Sequence, residues 1–529
     1  MEYQSSIYLF IFLPAALFAY GLTPKKHRWL TLLLFGYLFF WLISGKLLLI
    51  LLLTTLGVYC AGGKIAILQE HCKTECNDKS REENKEIKER YKKREKRILV
   101  AAILLLLAIL VCFKYYNFFI KNGNALLTYF HINLNWQETS IAVPIGISFY
   151  TLQAIGYLAD VYWGKVNGAD HPGKLALFLA FFPQIMEGPI SMYSQTAESL
   201  FEGHDICFAN LRRGCIRILW GLFKKIVIAD RVYMAVTTLY NNYTEYYGVM
   251  IIVAAIAYTT QLYMEFSGCM DIIIGSGYLF GINLPENFRQ PFSSKNAAEF
   301  WRRWHITLGA WFKTYIFYPV SMSKMVKKWN KYGKAHVGKY LTKLSVSAMC
   351  LFPVWLCNGL WHGARWSYLF YGMYYFVILM LELAIEPARD KLANLLHLNI
   401  EAWYYKAFQI VKTWLIIITG ELFFRANGLR AGVRMFRSIF TCFGVENLWN
   451  GTLLNIGLDR ADYLVITAGV IIVALVGILK ERKLLSIEKI TAMPLPLRWA
   501  IYYALILAIL ILGAYGAGYQ QVDMIYAGF

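Results

Sequence analysis

Charge is scarce in this chain. Only 16% of its 529 residues are Asp, Glu, Lys or Arg, where a soluble globular protein carries about a quarter. The shortage runs the whole length, and 58% of the residues are hydrophobic. That combination excludes a soluble globular fold and indicates a polytopic helical membrane protein. Acid is the scarcer sign, 33 residues against 53 basic, for a formal net charge of +20. In a soluble protein that excess would suggest nucleic acid. Here the basic residues fall mainly in short loops between apolar runs, as expected when positive cytoplasmic loops orient the chain, and no nucleic-acid-binding motif accompanies them. Also lacking are a metal-ligand cluster, a Ser-His-Asp grouping, a nucleophile elbow and a Walker loop. Gly275-Ser276-Gly277 lacks the strand–turn–helix setting of a nucleotide fingerprint. Cys60, Cys112, Cys269, Cys350 and Cys357 lie inside apolar runs and read as small hydrophobes. His71-Cys72 with Cys76 would be half a zinc site without its other half, so it reads as a reduced, solvated loop. Glu2 is the only charge before the first apolar run, and no small-residue cleavage site follows. The first segment is therefore expected to be a retained span.

What is present is a succession of apolar runs. Ile7–Leu22, Trp29–Ile43 and Leu47–Ala61 each cross or nearly cross a bilayer that needs about 20 helical residues. Lys25, Lys26 and Arg28 place the first loop in the cytoplasm and the N-terminus outside. The stretch Lys73–Arg97 is rich in Lys and Arg interleaved with Glu82, Glu86 and Glu89. It reads as a solvated cytoplasmic helix with i,i+4 ion pairs, or as an arm for a partner or anionic lipid. Ile98–Phe113 returns the chain outward. From Ile141 to Tyr318 the apolar segments are broken by Pro144, Pro183, Pro189, Gly268, Gly275, Gly277 and Gly281. Irregular backbone at membrane depth needs protein or a wet cavity around it, so short re-entrant helices around a chamber are expected. Lys324–Lys343 is again cytoplasmic. The last spans are expected near Leu344–Trp361, Tyr368–Leu383, Phe408–Phe424, Tyr463–Leu479 and Ala500–Tyr515, with the C-terminus outside. Arg425, Arg430, Arg434 and Arg437 fall outside on this count, against the charge rule.

Two clusters carry chemistry. In Glu299-Phe300-Trp301-Arg302-Arg303-Trp304-His305, helical spacing puts Trp301, His305, Leu308 and Phe312 on one face. Arg302 and Arg303, pointing elsewhere, could grip the phosphates of a bulky anionic donor such as coenzyme A, because the guanidinium fork pairs with phosphate oxygens bidentately. The bland alternative is an interfacial helix with tryptophans in the aromatic belt and arginines on lipid headgroups. In Asn358-Gly359-Leu360-Trp361-His362-Gly363-Ala364, His362 ends an apolar run. An apolar setting favours the uncharged ring, which could take a proton from a substrate hydroxyl. A core histidine bonded to a backbone carbonyl would leave the same trace.

These clusters belong to a larger pattern. Phe181-Phe182-Pro183-Gln184 with Gly188-Pro189-Ile190, Glu265-Phe266-Ser267-Gly268 with Asp271, Leu284-Pro285-Glu286-Asn287-Phe288, Phe300 through His305, Gly359 through Ala364, and Leu422-Phe423-Phe424-Arg425-Ala426 follow in order. Together they resemble the membrane-bound O-acyltransferase superfamily, in its bacterial alginate O-acetyltransferase-like branch. The resemblance implies one integral-membrane acyltransferase domain over 1–529. In it, 70–97 would be a basic cytoplasmic loop, 181–426 the core with the catalytic motifs, and 500–529 a final span and extracytoplasmic tail.

It also implies an all-α fold, a ring of about 11–12 tilted transmembrane helices with short re-entrant helices around a central tunnel. His362 and His305 would be catalytic. Trp301, Trp304, Trp361 and Asn358 would line the substrate site with Arg302 and Arg303. The donor would be acetyl-CoA or another acyl thioester, with no bound cofactor and no metal. The acceptor would be an extracytoplasmic polysaccharide hydroxyl at the bacterial plasma membrane, reached through an SGNH-like partner. The tail Met524-Ile525-Tyr526-Ala527-Gly528-Phe529 partly matches an aromatic-Ile-Tyr-x-x-Phe motif of this branch, which would make Tyr526 an acyl relay rather than an aromatic anchor. Two alternatives stand beside this reading. One is D-alanyl transfer to teichoic acid within the same superfamily, whose members are shorter. The other is a transporter using Glu265, Asp271 and His362 as an ion path.

Overall fold

Apolar sequence in lipid must satisfy its own backbone, and helices do that within one segment. The computed structural model describes residues 2–77, 79–132, 134–168, 171–515 and 519. Among these the regular structure is helical, apart from an isolated antiparallel bridge between Phe288 and Trp304. Eight helical stretches are long and apolar enough to cross a membrane: Lys25–Cys76, Arg81–Tyr129, Val249–Leu279, Lys339–His362, Trp366–Leu395, Trp403–Arg425, Arg460–Glu481 and Leu495–Leu512. The first contains two helices, Arg28–Ser44 and Leu48–Cys76, divided at Gly45, whose positive φ of 51° ends the former. Leu104, Phe408, Leu464 and Ile511 on these stretches are all more than half exposed, as a face toward lipid would be. The chain is an all-α polytopic membrane protein.

It divides into two compact units, Met1–Gly214 with Ile273–Pro285, and Cys215–Ile272 with Glu286–Gly528, each over its described residues. The first unit is built on an aromatic centre. Tyr3, Tyr8, Phe12, Phe39 and Phe182 are buried against one another, and the Tyr3 hydroxyl donates to the Phe182 carbonyl at 2.8 Å. The block Phe181-Phe182-Pro183-Gln184 is therefore core in this unit. Helices α1 (Leu48–Cys76) and α2 (Arg81–Leu110) also belong here. His71, Cys72 and Cys76 sit in the last turns of α1, not in a loop. Ser80 starts α2 with a capping box, its backbone N–H donating to Glu83 at 3.0 Å. The basic stretch is thus helical on both sides of a short turn, with Glu75 holding Arg90 at 2.5 Å and the Tyr91 hydroxyl at 2.8 Å.

The second unit buries charge. Helices α3 (Phe208–Leu222) and α4 (Val249–Leu279) meet where Gly221 and Gly268 face each other. A side-chain carbon on either would sit 2.5–2.8 Å from the other's carbonyl oxygen. Gly268, Gly275 and Gly277 were expected to break the chain, yet α4 is continuous through all three. A helical glycine costs only about 1 kcal/mol, and close backbone approach is what small residues supply between membrane helices. Beside the crossing, Arg217 reaches Asp271 at 2.9 Å and Glu286 at 2.5 Å. Lys224 binds Asp271 at 2.6 Å and Ser267 at 2.9 Å. Lys225 binds Asp230 at 2.7 Å and Glu265 at 3.1 Å. Glu265 and Asp271, weighed above as an ion path, are ion-paired groups of this packing. Gly268→Val should destabilise the protein by about 1–3 kcal/mol through overpacking. The measurement is the melting temperature in detergent, and a value equal to wild type would contradict the crossing.

Candidate active site

His362 is placed by a second pair of glycines. Helix α5 (Lys339–His362) ends on it, with Gly363 at φ 147° stopping the helix. Helix α6 (Trp366–Leu395) follows at once. A side chain at Gly359 would meet the Tyr368 carbonyl, and one at Gly372 would meet the Trp355 carbonyl. The two backbones therefore interlock, and the last turn of α5 lies against Tyr368 and Tyr371. His362, 4% exposed, is walled by rings. Its centroid lies 4.9 Å from Trp361, 5.7 Å from Tyr371 and 5.0 Å from Phe424, all near-perpendicular. Phe424 comes from helix α7 (Trp403–Arg425).

His305 does not lie on one helix with Trp301. The expected continuous helix is broken: α8 and α9, as we label the short helices Ala297–Arg303 and Ile306–Phe312, flank a kink at Trp304 and His305. His305 has a φ of 48°, left-handed for a non-glycine residue. Such backbone persists only where its surroundings hold it, and here the holder is Asn287. The Asn287 carbonyl accepts from the Ile306 N–H at 3.0 Å. Its side-chain oxygen accepts from the Thr307 N–H at 3.1 Å and the Thr307 hydroxyl at 2.9 Å, and lies 3.2 Å from His305 Nδ1. The Asn287 amide nitrogen is turned to Met270 Sδ, so the oxygen faces the imidazole. That arrangement puts the His305 proton on Nδ1 and leaves Nε2 as the basic nitrogen. Burial pushes His305 down to about 3, well below an ordinary imidazole. The ring packs on Phe266 at 4.9 Å and on Trp361 at 5.4 Å. One indole, that of Trp361, therefore touches both histidines.

Other expected site residues scatter in role. Asn358 is buried one turn before His362 in α5. Trp304 is buried and stacks on Phe300 at 5.4 Å. Trp301 packs on Trp355 and Tyr375 at 4.9 and 4.8 Å. Arg303 is ion-paired to Glu299 at 2.9 Å and to Glu481 at 3.1 Å. Arg302, its neighbour, is exposed. Tyr526 lies outside the described residues. Two further groups belong beside His362. The Tyr371 hydroxyl donates to Glu421 Oε1 at 2.9 Å, and Glu421 is 1% exposed. A lone acid in the apolar run Trp403–Arg425 was the available signal, since ionisable residues at membrane depth mark function by default.

A depressed His305 has a consequence for stability. Between about pH 6.5 and 3 the unfolded chain binds a proton that folded His305 refuses, so stability falls as pH drops through that window. His305→Gln should flatten this acid-side slope, read as melting temperature against pH in detergent. Parallel curves for wild type and variant would count against a neutral, buried ring.

The chain is similar to known proteins over most of its length. The model of the membrane-bound O-acyltransferase family matches residues 172–424, a range that includes Asn287, His305, Trp361, His362 and Glu421. A Pseudomonas putida protein named "Probable alginate O-acetylase" is 30% identical over 441 residues, 83% of this chain and 80% of its own. Its Pseudomonas aeruginosa namesake is 30% identical over 474 residues, 90% and 80% of the two chains. A Helicobacter pylori peptidoglycan O-acetyltransferase is 28% identical over 376 residues, 66% and 65% of the two. With two interlocked helices presenting a ring-walled histidine, a second histidine across one indole, and this similarity over most of its length, the chain belongs to the membrane-bound O-acyltransferase family and is an O-acyltransferase.

Proposed function

We propose that this protein moves an acetyl group from a cytoplasmic thioester, acetyl-CoA, to hydroxyls of an extracytoplasmic polysaccharide. It would act in the bacterial plasma membrane, with both termini outside and an SGNH-like partner delivering the group to the polymer. The observation that carries this reading is His362, buried in an aromatic enclosure at the end of a membrane-length helix. The names of the similar alginate and peptidoglycan O-acetyltransferases support acetyl and a glycan acceptor.

In this mechanism an imidazole nitrogen of His362 takes the proton from the attacking hydroxyl as its oxygen bonds to the thioester carbonyl carbon. The tetrahedral intermediate then collapses. The C–S bond breaks, the proton passes to the departing sulfur, and an ester and a thiol remain. The aromatic rings around His362 limit the water that can compete as the nucleophile. His305, neutral and tied to Asn287, sets Trp361 and through it the His362 ring; its own Nε2 is a second base within the same enclosure. Arg302, exposed beside the paired Arg303, is the guanidinium available for donor phosphates.

The tail pattern puts a phenol, that of Tyr526, seven residues beyond Tyr519. After α10 and α11, our labels for Arg460–Glu481 and Leu495–Leu512, Arg231 clasps Asp462 and donates to the Tyr519 hydroxyl at 2.6 Å and the Leu512 carbonyl at 2.7 Å. Tyr519 is tethered there, and seven residues extend about 25 Å at most, which bounds the reach of Tyr526. Its phenol would accept the acetyl group as an aryl ester and pass it to the partner.

His362→Ala should lower acetyl transfer from labelled acetyl-CoA by about 10²–10⁴-fold, the usual worth of a general base, while the protein still inserts and melts cooperatively. Turnover at the wild-type rate would end the assignment of His362. Tyr526→Phe should abolish transfer to the partner, and mass spectrometry of the wild-type C-terminal peptide under trapping conditions should find a 526 acetyl ester. If no acetylated peptide is trapped and the variant keeps full transfer, the relay is wrong.

A further inference from the structure

Joined to His362 through Tyr371 is a set of buried polar atoms left unbonded among the described residues. Glu421 gives one carboxylate oxygen to Tyr371, while its Oε2 is buried and unbonded among the described residues. The Tyr375 hydroxyl and the Trp301 indole N–H are in the same condition. All three belong to one cluster. Trp301 lies 4.8 Å from Tyr375 and 6.3 Å from Tyr371, and Tyr371 lies 5.0 Å from Tyr375. The Tyr375 hydroxyl also crowds Gly420, next to Glu421 in α7, where a side-chain carbon would come within 2.7 Å of it. Tyr371 joins the cluster to His362.

Folded proteins pair more than about 90% of their buried polar groups. Three unpaired within one cluster, a hydroxyl, an indole N–H and a carboxyl oxygen, call for a common partner. Tyr371, which bonds one of the three, is the residue that lies against His362. The partner must both donate and accept hydrogen bonds and must reach the depth of His362. A hydroxyl does so, and so does a secondary amide. Water alone would satisfy the groups without substrate, and the test separates that case.

We infer that Glu421, Tyr375 and Trp301 form a substrate-binding subsite of the acyl-transfer centre, taking a hydroxyl or amide of a bound substrate, with Tyr371 as the positioning residue that aims the Glu421 carboxyl. The inference rests on the acetyl-transfer reading above. A hydroxyl would come from the acceptor, an amide from the arm that carries the donor thioester.

The test is steady-state kinetics on the full chain in proteoliposomes with its partner, varying acetyl-CoA and acceptor separately. Glu421→Gln keeps the shape of the side chain but replaces an acceptor oxygen with a donor. It should raise the KM for one substrate about tenfold, the worth of one good hydrogen bond, with kcat changed far less. Tyr375→Phe should raise the same KM and not the other, and it carries the test alone if Glu421→Gln fails to insert. A rise confined to acceptor KM assigns the hydroxyl and with it direct attack by the acceptor rather than by Tyr526, and one confined to acetyl-CoA assigns the amide. KM values equal to wild type in both folded variants, or losses confined to kcat, overturn the subsite and leave the groups to water or packing. The control is His362→Ala. If wild type transfers acetyl, that variant does not, and both KM values hold in the subsite variants, only this inference fails. If wild type transfers none, the acetyl-transfer reading fails first.

Discussion

The site depends on how closely two helix backbones approach. Gly359 packs on the carbonyl of Tyr368, and Gly372 on that of Trp355, so α5 and α6 touch main chain to main chain just before α5 stops. With a side chain at either position the helices would separate. The rings of Tyr368 and Tyr371 would then no longer bound His362. In lipid, where apolar side chains gain little by leaving one another, such contacts between small residues are a main source of helix association. The same device recurs at Gly221 and Gly268, beside the buried charges.

Those charges explain how polar groups survive in so apolar a chain. Lys224 and Lys225, adjacent in sequence, divide their partners: one faces Asp271 and Ser267, the other Asp230 and Glu265. Each ion has an opposite charge in contact, which is the condition for keeping charge out of water. Around the histidines the method differs. Rings supply most of the wall, a single asparagine orients His305, and a single tyrosine–glutamate bond sits behind His362. The ion pairing that holds the first region is not repeated among the described residues around the second, where hydrogen bonds and ring contacts take its place.

Much of this was legible beforehand. The scarcity of charge indicated the class, and the apolar runs marked the later spans within a few positions, except that the helix Trp366–Leu395 runs on well past the expected Leu383. Trp301 through His305 and Gly359 through Ala364 stood out because tryptophan, histidine and arginine are costly company for apolar runs. The reading of His305 as part of a regular helix failed for a local reason. Periodicity assumes a continuous helix, whereas the bonds from Asn287 reach in from another block and hold a left-handed kink. Arg303 pairs with Glu481, far along the chain, a partner that local spacing does not show.

The sequence by itself determined an all-helical membrane chain of the acyltransferase family and singled out His305 and His362 as candidates, because composition, run length and motif order are local properties. Only the tertiary structure decided that one indole joins those histidines, that Asn287 fixes one ring, and that Glu421 and Tyr371 stand behind the other. These relations link residues tens of positions apart, and nothing in the spacing along a chain says which face of one helix meets which face of the next.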